Sequence, residues 1–333
     1  MLSKAKKISN IILFEKKRIK IDKVKDIELE SVLNLMSQHL MLPTLYFNIK
    51  KKKYQKYFPE DFIKFLKQIF EENKKRNALL IKEAHLISNL LNENNIKYCF
   101  IKGMAYMLSG LYTDSGERMV GDIDILVQED ELKRAHQLLS DFGYISDGKY
   151  SFKTKQFRYY DRQINRSKKI AVELHRRTIE SKSLKKLDSE EILENKLEIN
   201  NVSVPCNKDL LLTNIYSHQI NDYGFYTLSY NYRNLYDTFL LKSNSKFDII
   251  FDKYIQNYFN ISSRLGVNFF PNFLRKKNFF LSLRFRLKKY FLIRLIDSFI
   301  FLNLAKIPIQ IKKIKEIFYN ENYRKYIFKK LKL

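Results

Sequence analysis

Residues 120–127 read Val-Gly-Asp-Ile-Asp-Ile-Leu-Val, and no other segment constrains the chain's architecture as strongly. In a strand, residues two apart share a face, so Asp122 and Asp124 point together while Ile123, Ile125 and Val127 line the opposite side. Two carboxylates held side by side repel each other unless a cation lies between them. Oxygen donors of this kind suit magnesium or manganese. The segment therefore has to bury its apolar face in a core and keep the other for a polar site. Gly121, at its start, leaves room for backbone or substrate to approach.

The surrounding residues extend this into an α/β unit. Six of the eight glycines (Gly103, Gly110, Gly116, Gly121, Gly143 and Gly148) fall in this short stretch, where tight turns and close backbone approaches are concentrated. Lys97–Ile101 reads as a strand, Met104–Tyr112 as a helix, Glu129–Phe142 as a second helix. Ser151–Gln163 reads as a strand or hairpin arm and Ile170–Arg176 as a further strand. In Ala171-Val172-Glu173-Leu174-His175, Glu173 and His175 share a face. If that strand neighbours the first, Glu173 completes a three-carboxylate cluster of the kind that holds two metals for in-line phosphoryl or nucleotidyl transfer. His175 then either touches substrate, helps to place Glu173, or is a structural histidine with its hydrogen bonds satisfied. At the Lys102-Gly103 turn, helix-terminal amides can hold phosphate oxygens, and Gly103 removes the side chain that would block them. Lys102 and Arg118 either supply positive charge for a triphosphate or form structural salt bridges.

Outside this unit the chain reads as helical. Asp26–Leu42 and Pro59–Asn94 are expected helices. In the second, Phe62, Phe65, Ile69, Leu79, Leu80, Ala84 and Ile87 recur at helical spacing, and Pro59-Glu60-Asp61 suits a helix start. After Asp188 the chain returns to helix, with a strand-like interlude at Glu198–Val204 and helix from Lys208 onward. The expected division is an N-terminal helical region (1–95), an α/β domain (96–206), and a helical C-terminal lobe with a basic tail (207–333).

Charge and cysteine usage set the context. The chain carries 62 Lys and Arg against 36 Asp and Glu, a formal charge of +26, which favours anionic partners. Between Arg264 and Leu333 there are 18 basic residues against three acids, interleaved with apolar ones. Ile311, Ile314, Ile317 and Phe318 form a helical stripe with Lys312, Lys313 and Lys315 off it. Such a segment suits an anionic membrane surface, a nucleic-acid backbone, or a helical lobe whose apolar residues pack into a protein core. Cys99 and Cys206 have no metal-ligand spacing and read as buried thiols of a reducing compartment. The best candidate for a membrane span, Tyr290–Ile309, is interrupted by Arg294, Asp297 and Lys306, so the expectation is a cytoplasmic protein, with peripheral contact to an anionic membrane as an option.

The order Lys102-Gly103, Arg118, Gly121-Asp122-Ile123-Asp124-Ile125-Leu126-Val127 and Glu173-Leu174-His175 resembles the uncharacterised nucleotidyltransferase family of the DNA polymerase β-like superfamily. Arg233-Asn234-Leu235-Tyr236-Asp237, preceded by His218, is similar to that family's helical Arg-x-x-x-Asp segment. The resemblance covers roughly positions 80–240. It implies a small mixed-sheet nucleotidyltransferase domain flanked by N-terminal helices and a helical C-terminal lobe. It further implies Asp122 and Asp124 as the metal-binding pair, Glu173 as the third carboxylate, magnesium or manganese as cofactor, and a nucleoside triphosphate such as ATP as substrate. The superfamily's usual glycine-serine after the first strand is replaced here by Gly103-Met104. The acceptor is left open among small molecules, surface-polysaccharide precursors, protein side chains and RNA ends. The alternative is a non-catalytic protein of the same fold that binds nucleic acid or anionic membrane through its basic C-terminal lobe.

Overall fold

The structure is a computed structural model that describes residues 3–15, 26–146, 158–180, 187–244 and 252–269, with scattered positions between 295 and 328. Four helices open the chain: α1 (Lys4–Phe14), α2 (Asp26–Gln38), α3 (Leu42–Lys51) and α4 (Glu60–Glu93). The helix expected from Asp26 to Leu42 stops at Gln38, because Leu40 adopts a left-handed conformation (φ 56°) and Pro43 then starts α3.

The 34 residues of α4 bury Phe62, Leu66, Phe70, Asn73, Asn77, Leu80, Ala84, Ile87 and Leu91 at spacings of three and four. Phe65 and Leu79, which the sequence places in this stripe, instead face outward at 47% and 57% exposure. Two asparagines sit in the stripe among the apolar residues. Their role lies in the site they support.

The α/β unit contains β1 (Tyr98–Ile101), α5 (Lys102–Leu108), β2 (Ile123–Val127), α6 (Leu132–Asp141), β3 (Ile145–Ser146), β4 (Gln163–Asn165) and β5 (Ile170–His175). The sheet order is β1-β2-β5-β4-β3. Only β2 and β5 run parallel; the other neighbours are antiparallel, so the sheet is mixed as expected. Every residue of β1 and β2 is buried, which requires cover on both faces of these strands. Helices α5 and α6 are both shorter than the sequence suggests. Each gives way to a left-handed glycine, Gly110 (φ 71°) and Gly143 (φ 95°), soon after its last turn. Of the strand expected over Ser151–Gln163, positions 151–157 lie outside the described residues. Tyr159 forms an isolated antiparallel bridge with His175.

Helix α7 (Ser189–Glu194) leads to a hairpin, β6 (Leu197–Ile199) and β7 (Val202–Val204), where one strand-like interlude was expected. Its turn residues Asn200 and Asn201 both have positive φ, the requirement for a two-residue hairpin loop of this hand. Helices α8 (Asn207–Tyr216), α9 (Gly224–Thr227), α10 (Tyr232–Asn244) and α11 (Lys253–Arg264) follow, with a π-helical turn over Ser217–Asn221.

A single cluster of buried residues runs from Ala5 in α1, through the sheet, to Leu265 after α11, so the three segments share one core. The basic tail is mostly outside the described residues. Among its described positions, Leu295, Ile296, Phe299, Ile307, Ile311, Ile314 and Phe318 are exposed, not packed into a core. No described helix is long and apolar enough to cross a membrane.

Candidate functional site

The site is built on the parallel pair β2–β5. Register places Asp124 opposite Glu173 and Leu126 opposite His175, while Ile101 at the end of β1 faces Asp124 from the other side. In parallel strands, opposite residues present their side chains to the same face. Asp124 and Glu173 are thereby brought together by backbone pairing alone. His175, two residues further along β5, returns to that face.

Ligand atoms of Asp124, Glu173 and His175 lie within 4.8 Å of one another. The Nε2 of His175 is 2.8 Å from Asp124 Oδ1 and 3.5 Å from Glu173 Oε2. The shorter contact marks Asp124 as its hydrogen-bond acceptor. The other ring nitrogen, Nδ1, is buried with no hydrogen-bond partner among the described residues. His175 is wholly buried, and its ring packs edge-on to Tyr159 with centroids 5.8 Å apart. The cluster thus differs by one member from the set of three carboxylates read from the sequence. His175 is in it, and Asp122 stands beside it in the bend before β2.

The electrostatics fit a site short of positive charge. Burial, together with Asp124 and Glu173, pushes the Asp122 carboxyl up to about 6. Burial acts in the same sense on Asp124, but the Lys102 ammonium and His175 outweigh it and hold that carboxyl far below the usual range. The hydrogen bond from His175 lowers Glu173 against the opposing effect of burial. Arg162 approaches Glu173 from the start of β4, its Nε 3.8 Å from Oε1.

Lys102 is the residue the sequence described least completely. It has a left-handed backbone (φ 54°) at the junction of β1 and α5, and its Nζ forms an ion pair with Asp124 Oδ1. The same Nζ is 3.4 Å from His175 Nε2.

The remaining expected phosphate contacts have other partners. Arg118 makes a two-pronged ion pair with Asp237 of α10, Nε to Oδ1 at 2.8 Å and Nη2 to Oδ2 at 2.9 Å, and lies over the Tyr106 ring. Asp237 therefore pairs with Arg118, and not with Arg233 four residues before it on the same helix. Arg233 hydrogen-bonds the Met119 carbonyl. Gly103 is required by the same guanidinium: a Cβ there would come within 2.6 Å of Arg118 Nη1. Its lack of a side chain admits the arginine. A Cβ on exposed Gly121 would meet nothing within 4 Å among the described residues. His218 hydrogen-bonds the Ser229 carbonyl and closes over Gly224, a structural role.

The loop that delivers Asp122 and Asp124 is held by α4. Asn73 donates to the carbonyls of Gly116 and Arg118 at 2.8 and 3.1 Å, and Asn77 to those of Arg118 and Ser115 at 2.7 and 2.5 Å. Arg76 donates to the Gly121 carbonyl at 3.1 Å. Sequence periodicity hides these residues, since polar side chains on an apolar stripe carry no period of their own. Their spacing at i, i+3 and i+4 on one helix is the signal that could have found them.

Residues 25–260 of the chain match the family described as uncharacterised nucleotidyltransferase. No curated protein matches the chain. The matched span is well over half of the 333 residues and contains the whole sheet and its acidic cluster. The protein belongs to the uncharacterised nucleotidyltransferase family.

Proposed function

We propose that this protein is a divalent-metal-dependent nucleotidyltransferase that moves a nucleoside monophosphate group from a nucleoside triphosphate to a hydroxyl or phosphate acceptor. The observation that carries this reading is the pairing of Asp124 with Glu173 across β2–β5, with the His175 imidazole in ligand distance of both. The donor chemistry fits a hard dication, because Asp124 and Glu173 converge and burial, together with those two carboxylates, pushes the Asp122 carboxyl up. Asp122, Asp124 and Glu173 would hold magnesium or manganese. When bound, the metal would lower the pKa of the attacking hydroxyl and neutralise the leaving pyrophosphate.

The chain's own groups do the rest. His175 fixes the orientation of Asp124 through its Nε2 contact. Burial of Asp124 and His175 keeps water from the inner side of the cluster, where charge interactions are strengthened. Lys102, with its side chain 29% exposed, reaches from solvent into the cluster and is the cation best placed to meet a triphosphate. The acceptor class stays open among small molecules, polysaccharide precursors, protein side chains and RNA ends. We place the protein in the cytoplasm, with its basic tail in peripheral contact with an anionic membrane. Exposed Ile311, Ile314 and Phe318 beside a lysine-rich sequence support that contact.

One observation favours a second reading, a non-catalytic protein of the same fold that holds nucleic acid or anionic membrane: Asp124 is already neutralised by Lys102. Calorimetric titration of each nucleoside triphosphate with magnesium, on wild type and on Asp122→Asn/Asp124→Asn, separates the two. The first reading expects magnesium-dependent binding that the double variant loses by at least about tenfold. A folded wild type that binds none of them sinks it, and salt-dependent binding of RNA or anionic vesicles would then support the second.

A further inference from the structure

Within the cluster one group does not belong to a ligand set. The Lys102 ammonium is ion-paired with Asp124 Oδ1 and stands 3.4 Å from His175 Nε2, so it contacts two of the three groups whose donor atoms converge. A divalent ion held by Asp122, Asp124 and Glu173 would, on taking Asp124 Oδ1 as a ligand, have to occupy the space beside that oxygen, about 2.0–2.1 Å from it. The ammonium and a dication cannot share that space. The Lys102 side chain is 29% exposed, so the ammonium can withdraw from the cluster towards solvent.

We propose that Lys102 is an internal counter-ion that fills the metal position in the nucleotide-free protein and moves onto the triphosphate when metal and nucleotide arrive together. The inference rests on the nucleotidyltransferase reading of the site. Its consequence is an order of binding. Free metal must displace an ammonium that then has no anion to meet, so free metal binds weakly. A metal–nucleotide complex brings phosphate oxygens that accept the displaced ammonium, so it binds as a unit. The same arrangement explains how Asp124 stays ionised while nearly buried: one cation is exchanged for another, and the carboxylate is never left bare. No bond is made or broken in this step.

The test is manganese binding, read by the loss of free-ion electron paramagnetic resonance signal, on the full chain with and without a non-hydrolysable nucleoside triphosphate. Lys102→Met keeps the length of the side chain and removes the charge. Free manganese should bind at least about tenfold more tightly to Lys102→Met than to wild type, while the metal–nucleotide complex binds more weakly. Lys102→Arg should keep the weak binding of free metal. Equal affinity of free manganese for wild type and Lys102→Met overturns the counter-ion role while leaving the metal site intact. If no protein binds manganese in either form, the metal reading itself falls, and this inference with it. A measurement on wild type alone covers the case in which the variants misfold. Mild reductive methylation followed by mass spectrometry should label Lys102 faster, relative to exposed Lys64, once saturating manganese is added without nucleotide. Unchanged relative labelling under saturating manganese overturns the proposal.

Discussion

Arg118 and Asp237 join the loop before β2 to helix α10 by an ion pair whose side chains are 7% and 2% exposed. Burial opposes the charge on Arg118, and Asp237 more than offsets it, so the guanidinium is held even more firmly protonated than usual. Removing one partner of such a pair strands the other, at a cost of roughly 3–5 kcal/mol, whereas replacing both by apolar groups costs much less. Arg118→Met and Asp237→Leu should each show that loss in denaturant unfolding, and the double variant should be more stable than either single one. If Arg118→Met kept full stability and lost nucleotide affinity instead, the residue would be a phosphate ligand after all. At this scale the sequence was legible where chemistry follows the period of two. Glu173 and His175 share a face because every second residue does, and the β2–β5 register then makes Asp124 their neighbour. The partner of Arg118 was not legible, because Asp237 lies 119 residues away and a closer arginine at helical spacing offered a plausible substitute. The place of His175 in the cluster was open in the sequence for a related reason. Period two puts it on the site face but says nothing of its distance to a carboxylate on another strand.

Among the elements, α4 does most to position the site, and it does so with side chains that its amphipathic pattern would treat as errors. Asn73 and Asn77 each satisfy two carbonyls of the 115–118 loop, and a buried carbonyl without a donor costs about 1–3 kcal/mol. Asn77→Leu, nearly isosteric but unable to donate, should therefore destabilise the protein by roughly 2–4 kcal/mol. Amide hydrogen exchange should rise in residues 115–121 before it rises in β5. Uniform protection across both segments would show that the loop is held by something else. The loop also meets α4 through Gly116, where a Cβ would come within 2.7 Å of the Phe70 ring. Gly116→Ala should push ring or loop aside and lower the melting temperature, with Phe70→Leu restoring part of the loss. Element type was readable for the long helices and for β1, β2 and β5, which carry strong apolar patterns. Boundaries were less so: α2 ends before a left-handed Leu40, a residue type that does not announce that conformation, although glycines follow α5 and α6. The β6–β7 hairpin escaped for the same reason. Its turn is Asn200-Asn201, a pair that tolerates positive φ but marks it less plainly than glycine.

Across the whole molecule, the N-terminal helices, the loop before β2 and helix α10 converge on Glu117. Its carbonyl accepts from Thr44 of α3 at 2.7 Å, and its carboxylate accepts from the Tyr236 hydroxyl at 2.7 Å, which in turn accepts from Asn48 at 2.9 Å. The carboxyl is 2% exposed, and burial pushes it up to about 7 despite the Tyr236 hydrogen bond and the Lys51 charge. A carboxyl with a folded pKa above its unfolded one binds more protons when folded. Its contribution to stability is thus fully present below pH 4.5 and declines as pH rises towards about 7, beyond which the loss is complete. The rise from 4.5 to about 7 corresponds to a ceiling of roughly 3 kcal/mol. Glu117→Gln keeps an acceptor for Tyr236 and never ionises, so it should match the wild type near pH 4.5 and exceed it at pH 8. The expected gain is about 3–5 °C in melting temperature at the higher pH. The comparison at two pH values matters because other acids titrate in the same range in both proteins and cancel in the difference. An equal effect at both pH values would mean that Glu117 is ionised throughout and held by a cation. The junction of the three segments would then be an ion pair, in place of a protonated acid whose ionisation loosens the fold around the loop before β2.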